Sequence, residues 1–439
     1  MEKNNKKLEN AWCMYDWANS VFSLTITTAI FPEYFLGVTS TKEKGDVVSF
    51  LGFEIVNSVL YSYALSFSFL LAAVLSPFLT SIADYTGRKK MFMKTFCYMG
   101  SLSCASLYFF DGTDTLAIGV FGFILASVGF SSSIVFYNSY LPEIVTEEHY
   151  DRVSAKGFSM GYIGSVILLI INLAMIMKPE KFGLTGEGAE GLASRLSFLS
   201  VGAWWFLFAQ YPFRVLPSNT DNRKPQGSWL LNGLKELRIV WRQLKSHRYL
   251  KLFLVGFFLY TMGLQTVMYV APLFAKKVIL LETDKLIITI LLIQLVAMPG
   301  AGFFNLLSRR LGNINALVVG IIIWISICIW AYYVQKGISF YMLASTIGFV
   351  MGGIQSLSRA TYSKLLPDDT AGHASFFSFY DVAEKVAIVL GTFSFGFIEA
   401  MSGSMKNSVI ALALFFILGL FFIIKIPSLK IYSFKNQNI

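Results

Sequence analysis

Apolar runs of about 20 residues recur from one end of the 439-residue sequence to the other. An α-helix of that length crosses the hydrocarbon core of a bilayer. Hydropathy indicates about twelve such spans, at residues 14–37, 56–80, 91–110, 115–137, 157–177, 192–212, 250–274, 286–307, 313–334, 338–360, 380–400 and 406–426. Only 14% of the residues are charged, against about 25% in soluble domains. The sequence therefore predicts an all-α integral membrane protein.

An internal repeat divides these spans into two sets. "SSSIVFYNSYLPE" from Ser131 and "SLSRATYSKLLPD" from Ser356 align without a gap. "ADYTGRK" from Ala83 and "SRRLGNI" from Ser308 share a glycine at the same separation of 225 residues. Since six is an even number, two copies of six helices have the same orientation and form a parallel repeat. Substrate sites in such folds lie near the membrane midplane, between the two copies.

The hydrophobicity breaks once between the two copies. We expect an N-terminal six-helix half over residues 1–212, a cytoplasmic linker over 213–249 and a C-terminal six-helix half over 250–439. The linker ends in "WLLNGLKELRIVWRQLKSHR", where apolar and basic residues alternate at helical spacing. This pattern predicts an amphipathic helix on the inner membrane surface, with a regulatory binding segment as the alternative.

The distribution of basic residues predicts the orientation. If the N-terminus is cytoplasmic, about 26 of the 36 lysines and arginines lie on the inner side. Both termini are then cytoplasmic, and the first ten residues lead directly into a full-length span without a removable signal peptide. The net charge of +10 follows from this bias and requires no nucleic-acid partner. The abundance of Lys and Asn near the termini favours a bacterial cytoplasmic (inner) membrane.

The stretch "SIADYTGRKKMF", from Ser81 to Phe92, carries a first family resemblance. It resembles the signature loop between the second and third helices of the major facilitator superfamily. The resemblance implies a conformational latch at the cytoplasmic face, formed by Asp84, Gly87, Arg88 and Glu143. The alternative is that these charges only set the membrane topology.

Two further stretches are similar to a branch of that superfamily. "WCMYDWANSVFSLTITTAIFPEYF" and "GGIQSLSRATYSKLLPDDTAGHASFFSFYDVAEKVAIVLGTFSFG" resemble the hallmark segments of the vacuole effluxers, which include autophagy-related amino-acid effluxers of fungi. The resemblance implies a secondary transporter that works by alternating access, exports amino acids or similar small metabolites, and uses a proton gradient as one candidate driving force. Another small solute (a sugar, peptide or drug) and a non-transporting sensor on the same fold stay open. We expect a monomer in a lipid bilayer.

Polar residues in the first span form a stripe. Asp16, Asn19, Ser20, Ser23 and Thr27 fall at helical spacing along one face. An Asp at the centre of a spanning helix costs about 2.5 to 3.5 kcal/mol, so such acids face the protein interior or water. The stripe is predicted to face the cavity between the halves. The alternative is a structural cap or gate near the cytoplasmic end.

The same argument yields a set of candidate residues for substrate binding or coupling. Arg359 could hold a substrate carboxylate in bidentate fashion, or extend to the inner surface instead. Asp381 and Lys385 have the spacing of a structural ion pair, and Glu384 is a candidate proton carrier. The candidates are Asp16, Asn19, Ser20, Glu33, Gln265, Tyr269, Gln355, Arg359 and Glu384.

Enzyme chemistry finds no support in the sequence. There is no glycine-rich phosphate loop of an ATP-driven pump, no Ser-His-Asp arrangement, and the three histidines lack metal-ligand spacing. The four cysteines fall in or beside apolar spans, where we expect packed thiols. We therefore expect no enzyme activity, no metal and no bound cofactor.

Overall fold

Long helices make up most of the chain. The computed structural model describes residues 3–41, 45–218, 229–334, 338–367 and 372–427, so most of the polar segment "PSNTDNRKPQGS" of the linker lies outside the described residues. Eleven of the described helices are long and apolar enough to cross a membrane. The helices are α1 (Lys6–Thr39), α2 (Asn57–Thr86), α3 (Lys89–Ser106), α4 (Leu116–Ser139), α5 (Tyr150–Met177), α6 (Ala189–Val215), α7 (Trp229–Ser246), α8 (Arg248–Lys277), α9 (Thr283–Leu311), α10 (Asn313–Tyr333), α11 (Ile338–Leu365), α12 (His373–Ser402) and α13 (Met405–Ile423).

Each of the twelve predicted spans corresponds to one of these helices. Of these twelve, α3 is the one that is not among the eleven helices long and apolar enough to cross a membrane. Its 18 residues include Lys89, Lys90 and Lys94, and it continues through a 3-10 turn, Leu107–Phe109. Helix and turn together extend about 33 Å, which suffices to cross a bilayer.

We call the face of the bundle at which α1 begins the terminal face, and the other face the opposite face.

The middle of α1 departs from regular α-helix. Phe22–Ile30 is a π-helix, in which the Thr28 hydroxyl donates to the Ser23 carbonyl five residues earlier, at 3.0 Å. The cause lies just beyond it, where Pro32 occupies the first turn of the following α-helical segment. Proline has no N–H to donate, and its ring crowds the carbonyl four residues earlier, so the preceding turns widen.

A short β-hairpin joins α1 to α2, although the sequence analysis left this connection without regular structure. Val47–Phe50 pairs antiparallel with Phe53–Val56. The two turn residues, Leu51 and Gly52, both have positive φ, of 52° and 85°, as a two-residue hairpin turn requires. An apolar leucine in the turn hides the usual Asn-Gly or Asp-Gly signal.

Two hydrophobic clusters fill the bundle. One is built almost wholly from α1 to α6, and the other almost wholly from α7 to α13. The repeated glycines, Gly87 and Gly312, both have positive φ, of 65° and 83°, after α2 and α9. Only glycine adopts such angles at little cost, which explains why both copies carry it. Large apolar side chains such as Phe67 and Phe397 face outward, as in a helix bundle surrounded by lipid.

The amphipathic helix α7 is present, but it packs on protein. Its side chains Val240 and Leu244 are buried, whereas the apolar side chains Leu234 and Trp241 are nearly half exposed. The Asn232 amide donates to the Tyr85 hydroxyl of α2 at 3.0 Å, and the Trp241 ring lies 5.5 Å from that of Phe379 in α12. The predicted helix on the membrane surface therefore also contacts both halves at the terminal face.

Helices α9 and α11 approach each other more closely than ordinary side chains allow. A Cβ atom added at Gly300 would lie 2.0 Å from the Phe349 carbonyl oxygen, and one at Gly352 would lie 2.1 Å from that of Ala297. Small residues permit such backbone contact between helices in a membrane. A Cβ atom added at Gly302, two residues further along α9, would have no other atom within 4 Å.

Candidate functional site

A cavity of about 310 Å³ lies between the two halves. Both halves line it, and its walls are mostly apolar with a smaller number of polar groups. Charged side chains in its lining come from α1, α11 and α12: Asp16, Arg359, Glu384 and Lys385. Such a mixture of apolar walls and a few polar groups is typical of small-molecule sites.

A buried ion pair closes the terminal end of this cavity. Both terminal nitrogens of Arg359 lie 3.2 Å from Asp16 Oδ2, and the two residues are 3% and 7% exposed. The Tyr137 hydroxyl donates to the same oxygen at 2.7 Å. Because Asp16 belongs to the first half and Arg359 to the second, the pair joins the halves.

The Arg359 guanidinium is held on all sides. Its Nε donates to the Ser154 hydroxyl and its Nη2 to the Ser154 carbonyl, both at 3.0 Å. Aromatic rings of Trp12 and Phe158 lie 4.6 and 4.2 Å from its central carbon, which adds cation–π attraction. Gly157 leaves the necessary room, because a Cβ there would lie 2.5 Å from Asp16 Oδ2. Arg359 is thus a buried cation at the closed end of the cavity.

The described state does not show either of the two positions predicted for Arg359, and substrate binding by Arg359 stays a prediction. Arg359 does not extend to the surface, because it is buried among the two halves. It does not present a free fork to a substrate carboxylate, because Asp16 occupies its two terminal nitrogens. The sequence analysis also missed the partners Tyr137 and Ser154, although Tyr137 matches Tyr362 within the repeat.

The polar stripe of α1 faces the cavity as predicted, with one correction. Asp16, Asn19, Ser20 and Ser23 line the cavity, but Thr27 does not. Its neighbour Thr28 does, because the π-helix has more residues per turn than the assumed α-helix. The predicted position is therefore wrong by one residue at the far end of the stripe.

A second polar cluster lies on the facing wall, in α12 and α8. Lys385 Nζ lies 2.9 Å from Asp381 Oδ1 and 3.5 Å from Glu384 Oε2, so the predicted Asp381–Lys385 pair is present. The Gln265 amide of α8 donates to Glu384 Oε1 at 2.8 Å. The side chain of Glu384 is 26% exposed, whereas Asp381 and Lys385 are almost fully buried. Glu384 is thus the acid of this cluster that the cavity can reach.

Three remaining candidates have different positions. Tyr269 lines the cavity, with its ring 5.9 Å from that of Phe69 in the first half. Gln355 also lines it and accepts a hydrogen bond from the Tyr162 hydroxyl at 2.8 Å. Glu33 lies outside the cavity, where it forms an exposed ion pair with Lys276 at 3.2 Å near the opposite face.

The terminal face carries two contacts between the halves at positions related by the repeat. At the end of α2, Asp84 accepts hydrogen bonds from the Ser375 amide and hydroxyl at the start of α12, both at 2.7 Å. At the start of α5, the buried Asp151 accepts from Ser308 at 3.0 Å and from Asn313 at 2.7 Å. Lys364 adds an ion pair to Asp151 at 2.7 Å. The sequence analysis identified Asp84 but missed Asp151.

The other predicted latch residues lie beside Asp84. Gly87 ends α2 with a left-handed turn, and Arg88 is exposed in that turn. Glu143 accepts a hydrogen bond from Lys89 and lies 3.4 Å from His373 Nδ1 at the start of α12. The sequence analysis did not name Lys89 or His373 for this latch.

The described contacts show which end is shut. Hydrogen bonds and ion pairs between the halves concentrate from the Asp16–Arg359 pair to the terminal face. Near the opposite face, the exposed Glu33–Lys276 pair joins them, and an exposed pair contributes at most about 1 kcal/mol. The structure is therefore closed at the terminal face.

We expect the two hydrogen bonds to Asp84 to be separable by mutation. Ser375→Ala removes only the hydroxyl donor and should slow transport less than about threefold. Asp84→Asn removes the charge that both donors meet, and should slow transport about tenfold, since a hydrogen bond to a charged group is worth about 1.5 to 3 kcal/mol. Initial exchange rates in proteoliposomes would check this order. Equal losses in both variants would contradict it.

Solved structures share this fold. The chain aligns with the transporter FucP of the major facilitator superfamily in its outward conformation at TM-score 0.70 and 13% identity, over 96% of this chain and 98% of that one. A bacterial homologue of the iron transporter ferroportin, in an outward-facing state, aligns at TM-score 0.67 and 13% identity, over 95% and 98%. Two six-helix halves around a polar cavity thus give this chain the fold of a multi-pass membrane transporter of the major facilitator type.

Sequence comparison gives the family within that class. Residues 4–430 match the family model described as "Vacuole effluxer Atg22 like". The chain is 31% identical to the uncharacterized MFS-type transporter YxiO of Bacillus subtilis, over 97% of this chain and 96% of the relative. It is 24% identical to autophagy-related protein 22 of Yarrowia lipolytica, over 86% and 77%. The chain belongs to the Atg22-like vacuole effluxer family, which confirms the resemblance seen in the sequence.

Proposed function

We propose that this protein exports amino acids or similar small metabolites across the bacterial cytoplasmic membrane, with both termini in the cytoplasm. The observation that carries the proposal is the polar cavity between the halves, closed on one side by the Asp16–Arg359 pair. A site that faces one side of the membrane at a time is what alternating access requires. The opposite state would form when the halves part at the terminal face.

The size and chemistry of the cavity support a small, polar substrate. Its volume of about 310 Å³ lies at the lower end of the roughly 300 to 1,000 Å³ of small-molecule sites. The apolar walls suit an aliphatic or aromatic side chain, while Gln265 and Glu384 suit the polar end of an amino acid. A large drug or a long peptide fits this volume poorly. The relationship to the vacuole effluxers supports the export direction.

Counterflow in proteoliposomes tests the proposal. Proteoliposomes that contain the purified full-length protein would be loaded with an unlabelled amino acid. They should transiently accumulate the same amino acid, added outside in labelled form, without any ion gradient. A panel of neutral, acidic and basic amino acids would define the range. Empty liposomes are the control for leakage. If correctly folded protein binds an amino acid but moves none, the sensor alternative replaces this proposal, and if it does neither, the substrate is another metabolite.

A further inference from the structure

The charges around the cavity do not balance. Asp16 and Arg359 neutralise each other, and Lys385 is nearest to Asp381, at 2.9 Å. Glu384 is then left with a 3.5 Å contact to a lysine that already has a closer partner. The cluster of Asp381, Glu384 and Lys385 carries one excess negative charge whenever all three are ionised.

The position of Glu384 makes this excess costly. It lies eleven residues into α12, about 16 Å along a helix that begins at the terminal face, and so near the middle of a bilayer about 30 Å thick. Ionised groups at this depth require a partner charge or water. The carboxylate faces the cavity, so water or a cationic group that enters the cavity supplies this compensation.

The remaining surroundings of Glu384 are neutral. Gln265 of α8 donates to Oε1 and fixes the carboxylate, and the hydroxyls of Tyr260 and Tyr269 come from the same helix. The packed helices α2, α4 and α13 bring no balancing charge, since α4 has no charged residue and the others have only Asp84 and Lys406, near their ends. The charged residues of α8 lie near its two ends and are Arg248, Lys251, Lys276 and Lys277. On the described parts of these helices, Lys385 and Asp381 are therefore the charges beside Glu384.

We propose that Glu384 is the site at which the ammonium group of the substrate and the coupling proton compete. This inference rests on the proposed function. It adds that Glu384 recognises one particular part of the substrate, a primary ammonium group. The ionised carboxylate binds the ammonium group, with Gln265 holding it in place. When a proton binds instead, the carboxyl is neutral and the substrate is released. One cavity then carries either a cationic group or a proton, as exchange transport requires.

Three probes separate the two ends of an amino acid. L-leucine has both the ammonium and the carboxylate, leucinamide keeps only the ammonium, and 4-methyl-2-oxopentanoate keeps only the carboxylate. Binding of labelled leucine to the purified full-length protein would be measured between about pH 4 and about pH 6.5, a range in which the α-amino groups of leucine and leucinamide stay charged. The other two probes would be added as competitors.

We expect leucinamide to compete and the oxo acid not to compete. Lowering the pH should weaken leucine binding, because protonation removes the negative charge. Glu384→Gln should weaken binding at least about tenfold and remove its pH dependence. Glu399→Gln is the matched control, since it makes the same change fifteen residues along the same helix and outside the cavity. It should bind like the wild type.

A second variant guards against loss of folding. Glu384→Asp keeps the charge but shortens the side chain, so it should bind more weakly and retain the pH dependence, with an unchanged gel-filtration profile. If the wild type exchanges leucine while Glu384→Gln keeps the wild-type pH dependence, or while the oxo acid competes as well as leucinamide, this inference fails and the proposed function stands. If folded wild-type protein neither binds nor moves any amino acid, this inference fails together with the amino-acid part of the proposed function.

Discussion

Neutralising either member of the Asp16–Arg359 pair is expected to abolish transport almost completely. Arg359→Gln leaves the Asp16 carboxylate buried between the halves, and Asp16→Asn leaves the guanidinium without its acid. Removing one partner of a buried ion pair costs about 3 to 5 kcal/mol, which corresponds to roughly a 100- to 4,000-fold shift in a conformational equilibrium. We expect exchange rates to fall by at least about 100-fold in each single variant.

The double variant distinguishes a gate from a substrate clamp. With both residues neutral, no unpaired charge remains, and replacing both partners is often nearly neutral. We therefore expect the double variant to exchange substrate faster than either single variant, in a non-additive cycle. If Arg359 bound the substrate directly, the double variant would be as inactive as Arg359→Gln. Arg310→Ala, at the exposed end of α9, serves as the control for loss of a positive charge.

Thiol labelling gives a second readout of the gate. A cysteine in place of Ser20, which lines the cavity next to the pair, should react with an impermeant reagent added at the terminal face only when the pair is broken. The native cysteines are buried and give a low background. Equal labelling from the terminal face with the pair intact and broken would contradict the assignment of a gate.

Gly300→Leu is expected to prevent stable folding of the second half. A Cβ at this position would lie 2.0 Å from the Phe349 carbonyl oxygen. Because this oxygen belongs to the backbone, it can move away only if α9 separates from α11. Overpacking in a tight interface costs about 1 to 3 kcal/mol or more, and here the obstacle is backbone. We expect a fall in the melting temperature of more than about 10 °C, or loss of monodisperse protein.

The same helix supplies the control for this prediction. Gly302→Leu makes an identical chemical change two residues away, where nothing lies within 4 Å. It should leave expression, the gel-filtration profile and the melting temperature unchanged, since a leucine there faces outward from the bundle. If both variants unfold alike, the two glycines affect stability through helix propensity. The close approach of α9 and α11 would then not be the reason that residue 300 is a glycine.

The sequence predicted the helices well because the membrane simplifies the problem. Every span needs about 20 apolar residues whatever its neighbours, so hydropathy located the twelve spans, eleven of which are long and apolar enough to cross a membrane in the described structure. Pro32 is visible in the sequence, yet it can kink, end or widen a helix, and the π-helix before it was not predicted. The displacement from Thr27 to Thr28 follows from that one ambiguity.

The candidate site was predicted as a set of residues but not as an arrangement. Asp16 and Arg359 were both identified, because a charge within an apolar span requires an explanation. Their pairing was not, since 343 residues separate them and a single sequence gives no signal for contact at that distance. Asp151 was missed because it lies at a helix end, where an acid is ordinary, and only the fold brings Asn313 and Lys364 to it.

The contacts at the terminal face have a consequence for the origin of the two copies. The first half supplies the acids, at Asp16, Asp84 and Asp151, and the second half supplies the donors that meet them. Two first halves placed face to face would oppose carboxylate with carboxylate, and two second halves would oppose donor with donor. The copies have thus diverged into complementary partners, so a symmetric dimer of either one could not close this face.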